Sequence, residues 1–107
     1  MFHLGVLNEI GIKMVEIQFT KKAAEKYDLL LNGLRKVMNE FFDKLSKDKI
    51  NLEELTHLFS GNDNNEFYSY QYQSIYLILA RDRKKWFVLD LLTPQEYKDD
   101  FGIFIKN

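Results

Sequence analysis

Apolar and polar residues alternate through Val15-Glu16-Ile17-Gln18-Phe19-Thr20, with β-branched members among them, and this predicts a half-buried first strand. Thr20 is suited to cap a helix from Lys21 to about Leu31, which Asn32-Gly33, a pair tolerant of left-handed backbone, would end. Leu34, Val37, Met38, Phe41, Phe42 and Leu45 then recur at steps of three and four. That spacing predicts a second helix with one apolar face turned to the core. Asn51-Leu52-Glu53-Glu54 resembles a capping box opening a short helical turn through Leu58. Gly61 and Asn62-Asp63-Asn64-Asn65 form a polar break.

After that break the period changes to that of strands. Glu66 to Tyr72 sets Tyr68, Tyr70 and Tyr72 on one face and Phe67, Ser69 and Gln71 on the other. Ser74 to Ala80 and Trp86 to Leu92 are nearly unbroken apolar runs, the pattern of strands covered on both faces. Arg81-Asp82-Arg83-Lys84-Lys85 joins them as a hairpin turn. Thr93 can cap a last helix with Pro94 at its first position, running to about Asp100. The expected fold is α+β: a strand, a helical hairpin, a three-stranded antiparallel meander and a short C-terminal helix. Residues 1–13 precede the first strand and Met14, and are expected to be an N-terminal extension to a single domain spanning 14–107.

A chain of 107 residues holds one core, and 46% hydrophobic with 15% aromatic residues is enough to build it without staples. Cysteine is absent, which removes disulfides, thiolate metal sites and a cysteine nucleophile. Neither a signal peptide nor an 18-residue apolar run is present, so the expectation is a cytoplasmic protein with no membrane contact. The apolar tail Phe101-Gly102-Ile103-Phe104-Ile105 is expected to dock on the body or on another chain, a homodimer being one such arrangement.

A formal net charge of −1 gives no global field towards nucleic acid, so any such role falls to a local patch. The densest is the four cations of residues 81–85, which read either as a solvated turn or as a phosphate-binding element. Glycine-rich phosphate loops, nucleophile elbows and histidine pairs at metal spacing are missing, and no metal or cofactor is expected. His57 reads as a surface histidine or as an acid or base in a cleft, because an imidazole titrates near neutrality.

The order strand, helix, helix, strand, strand, strand, together with Leu58-Phe59-Ser60-Gly61, Glu66-Phe67-Tyr68-Ser69-Tyr70 and Ser74-Ile75-Tyr76-Leu77-Ile78-Leu79, resembles the RelE/ParE superfamily of bacterial toxins. The resemblance runs from Val15 to about Phe101. It implies a toxin of a type II toxin–antitoxin pair, a small antitoxin as partner, and metal-independent cleavage of ribosome-bound mRNA. Relatives of the ParE kind act on gyrase instead.

This chain departs from the family's cationic sheet face: the matching strand offers Tyr68, Tyr70 and Tyr72, and Leu77 stands where an arginine is usual. Two readings stay open. In one, the tyrosines stack bases, cations come from Arg81, Arg83, Lys84, Lys85 and Lys98, and Tyr97 or His57 moves protons. In the other, the tyrosines are sheet packing and the domain is a non-catalytic interaction or regulatory module.

Overall fold

A computed structural model describes residues 2–4, 16–83 and 85–102. Six strands and three α-helices follow in the order β1 Phe2–Leu4, β2 Glu16–Phe19, α1 Lys21–Asp28, α2 Asn32–Ser46, β3 Thr56–Ser60, β4 Glu66–Tyr72, β5 Ile75–Asp82, β6 Lys85–Leu92 and α3 Pro94–Phe101. The strands form one sheet in the order β1-β2-β6-β5-β4-β3. Neighbours are antiparallel except β2 and β6, which run parallel through Ile17↔Trp86 and Phe19↔Val88. The helical hairpin is the crossover between β2 and the meander, and it places β2 beside the last strand.

The hairpin covers one face of the sheet. Ile17, Met38, Leu45, Leu77, Leu79 and Trp86 are fully buried there. Thr20 caps α1 by accepting from the Ala23 amide at 3.1 Å, as its position before the helix predicts. The other face holds a smaller apolar layer in which Leu58, Ile78 and Leu92 meet Tyr97 of α3. A complete capping box starts α3: the Glu96 amide donates to Thr93 Oγ1 and the Thr93 amide to Glu96 Oε1, with Pro94 at the first position.

Three expectations change. Asn32-Gly33 does not end the first helix; α1 stops at Asp28, and Asn32 and Gly33 open α2, because the exposed Leu29 and Leu31 make the connection. The helical turn expected through Leu58 is only Leu52–Glu54, capped by Asn51 through the Glu53 amide. Thr56–Ser60 is a strand, so the meander has four strands rather than three. An irregular register between His57 and Phe59 places two apolar residues side by side and hides the strand period.

At the other edge, Phe2–Leu4 pairs with β2 through Phe2↔Phe19 and Leu4↔Ile17, so part of the expected extension is a strand of the sheet. The turn in residues 81–85 is also shorter than expected. Arg81 and Asp82 belong to β5 and Lys85 to β6. The tail beyond Gly102 and the segment 5–15 lie outside the described residues.

Candidate functional site

β4 carries the tyrosine stripe because its side chains alternate. Tyr68, Tyr70 and Tyr72 face the helical hairpin and pack against the main core. Tyr70 stacks on Phe41 of α2, with ring centroids 3.9 Å apart, and Tyr68 lies against Trp86. Burial pushes the Tyr70 hydroxyl above its ordinary pKa, with the Glu54 carboxylate adding to the shift. All three rings are half-buried.

Tyr97 is on the opposite side. It is the buried residue of α3, stacks on Tyr76 with centroids 3.9 Å apart, and shares a 2.7 Å hydrogen bond with Ser69 Oγ. Ser69 alternates with Tyr68 and Tyr70, so the sheet separates Tyr97 from His57 and Arg81. Tyr97 and His57, the two alternative proton carriers, therefore lie on opposite faces of the sheet. Lys98 is exposed on α3.

The described cations of residues 81–85 have different partners. Arg81 lies over the Trp86 ring at 5.2 Å, its Nη2 is 3.6 Å from Asp48 Oδ1, and its Nε donates to the Arg83 carbonyl. Lys85 Nζ is 3.5 Å from Glu16 Oε2. Arg83 is exposed, as Lys85 is, and is held at the turn with φ 57°; it lines a shallow depression with Asp63, Asp82 and Lys85. Lys84 lies outside the described residues.

His57 sits on the edge strand β3, where its Nε2 is 2.7 Å from Glu66 Oε2. Ser60 Oγ donates to the same carboxylate, at 2.9 Å to Oε1 and 2.7 Å to Oε2. The Ser60 and then the His57 hydrogen bond hold the Glu66 carboxyl below the usual range. Tyr68, opposite His57 on β4, meets the imidazole edge-on with centroids 5.3 Å apart. Across the sheet the register runs Ser60↔Glu66, Glu66↔Arg81 and Arg81↔Trp86. Residues directly opposite share a face, so His57 and Arg81 flank Glu66 on one side of the sheet.

Of the four residues expected to carry catalysis, the fold thus groups His57 and Arg81, leaves Arg83 at the adjoining hairpin end and sets Tyr97 on the other face. Glu66 and Ser60 were not among the expected site residues. Their signal is weak in a linear sequence, because the acid is nine positions from the histidine and on another strand. No group of three or more potential metal ligands occurs among the described residues. No described helix is long and apolar enough to cross a membrane.

No family model and no curated protein matches this chain. Among solved structures, a chain of the archaeal RelE–RelB complex from Pyrococcus horikoshii is similar at 16% identity and a TM-score of 0.63. The match covers 72% of this chain and 91% of that chain. The fold is therefore RelE-like, in agreement with the resemblance seen in the sequence.

Proposed function

We propose that this chain is the toxin component of a toxin–antitoxin pair, held by a small antitoxin protein, and that it cleaves ribosome-bound mRNA in the cytoplasm without a metal ion. The observation that carries this reading is the RelE-like fold, since the similar solved chain comes from a complex named for RelE and RelB. An apolar surface is consistent with a protein partner. On the sheet face opposite the helical hairpin, Phe59 stacks on Phe67 with centroids 4.5 Å apart, and both remain only half-buried. Segments that wrap a folded domain gain affinity by covering such rings.

The chemistry needs a proton acceptor for the 2′-hydroxyl and positive charge near the scissile phosphate. His57 supplies the first, and Arg81 with Arg83, Lys84 and Lys85 the second. Induced expression in a host cell should arrest growth, and primer extension should reveal cuts in translated mRNA. Coexpression with the product of the adjoining reading frame should relieve the arrest and yield a copurifying complex. Absence of arrest, with ribosome-bound mRNA left uncut, overturns the nuclease reading.

A second reading, a non-catalytic interaction module, draws on the internal use of the site residues. Arg81 is committed to Asp48 and Trp86, Lys85 to Glu16, and the tyrosines to the core. Copurification with a partner in the absence of RNA cleavage would favour it. Arrest through gyrase would instead appear as DNA breaks with intact mRNA.

A further inference from the structure

In a regular strand, residues three apart point to opposite faces. His57 and Ser60 are three apart, yet both hold the carboxylate of Glu66. The register explains this. His57 pairs with Tyr68 and Phe59 with Phe67, so β3 spends one extra residue, Leu58, between two adjacent positions of β4. This bulge restores His57 and Ser60 to one face, while Leu58 turns into the apolar layer on the other side. An ordinary surface ion pair needs no such device. Bulges that re-aim a side chain are typical of sheet edges and of sites that carry chemistry.

We propose that this bulge assembles a proton-transfer site in which His57 is the base and Glu66, braced by Ser60, is its positioning residue; the proposal rests on the ribonuclease reading above. An ionised carboxylate only accepts hydrogen bonds, so the Nε2 that meets Glu66 carries the ring proton. Nδ1 is then the basic nitrogen. It has no hydrogen-bond partner among the described residues, and the imidazole is 49% exposed, open to a substrate. The groups facing the ring are Glu66 at Nε2, whose carboxylate Ser60 also holds, and Tyr68 in edge-on contact. Arg81 stands opposite Glu66 on β5, with Asp48 behind it.

The step balances as a transphosphorylation. Nδ1 removes the 2′-hydroxyl proton, and the oxygen's electron pair forms a new bond to phosphorus. The P–O5′ bond breaks with its pair on O5′, which takes a proton from water. The products are a 2′,3′-cyclic phosphate and a 5′-hydroxyl, and the imidazolium returns its proton to solvent.

The test compares the wild type, Glu66→Gln, His57→Gln and Ser60→Ala on mRNA-programmed ribosomes across pH, with thermal melts to verify folding. His57→Gln should lower kcat roughly 100-fold or more and abolish the acidic limb of the kcat/KM profile. Glu66→Gln should lower kcat and displace that limb while leaving KM unchanged, which lost packing alone would not do. Ser60→Ala keeps the acid and should displace the limb in the same sense, a control should Glu66→Gln fold poorly. A wild type that cuts, with Glu66→Gln and Ser60→Ala cutting at the same rate and pH profile, overturns this site and leaves the ribonuclease reading standing. A wild type that leaves ribosome-bound mRNA uncut removes both.

Discussion

The Phe41 ring lies flat on the Tyr70 ring, with centroids 3.9 Å and planes 13° apart. This contact ties the apolar face of α2 to the middle of β4, and it is the reason the tyrosine stripe is packing. Phe41 is 4% exposed and also meets Phe42 edge-on. Phe41→Ala should cost about 3–5 kcal/mol, measured by denaturant unfolding. A loss below about 1 kcal/mol would show that α2 does not seal this face.

Asp90 anchors α1 to β6 through Lys26 at 2.8 Å and Lys22 at 3.0 Å. Burial alone raises its pKa, but the hydrogen bonds from Lys26, Lys22 and the Leu91 amide outweigh burial, and the net shift is downward from 3.8. The folded state therefore binds fewer protons than the unfolded chain in acid. This stability is fully present above the unfolded value near 4 and is lost as pH falls through the lower folded value. Asp90→Asn should cost about 1–3 kcal/mol at neutral pH and flatten the stability profile below pH 4. Urea unfolding at several acidic pH values checks both.

Tyr97→Phe leaves the Ser69 hydroxyl buried without its 2.7 Å partner. The expected result is a stability loss of about 1–3 kcal/mol with the rate of RNA cleavage per folded molecule unchanged. A fall in rate at unchanged stability would return Tyr97 to the site.

Arg83 has φ 57°, a conformation that glycine adopts without a Cβ penalty. Arg83→Gly should leave stability within about 1 kcal/mol of the wild type while removing one exposed cation. Its mRNA cleavage should fall about 100-fold if that charge faces the phosphate in the transition state. Arg81→Ala is a less clean probe, because its contact with Trp86 contributes about 0.5–2 kcal/mol to the fold.

A variant beginning at Met14 lacks Phe2–Leu4 and exposes the edge of β2. Loss of this ladder should lower stability by about 1–3 kcal/mol in a thermal melt. An unchanged melt would show that residues 1–13 form an extension outside the domain.

The sequence alone determined the elements whose signals are local. The apolar repeat of α2, the caps at Thr20 and Thr93, and the alternation of β4 each act within a few residues. Local periodicity therefore located them and, with the order of elements, pointed to the RelE-like fold. Only the tertiary structure decided which face of β4 meets the helices, because alternation defines two faces and leaves their burial to the partner. It also decided β3, where the extra residue at Leu58 breaks the period that marks a strand. The union of His57, Ser60 and Glu66 depends on that bulge and on β3–β4 pairing. The separation of Tyr97 from His57 depends on which side α3 packs. Both are long-range choices, made when the sheet buries its two faces, and no spacing along the chain records them.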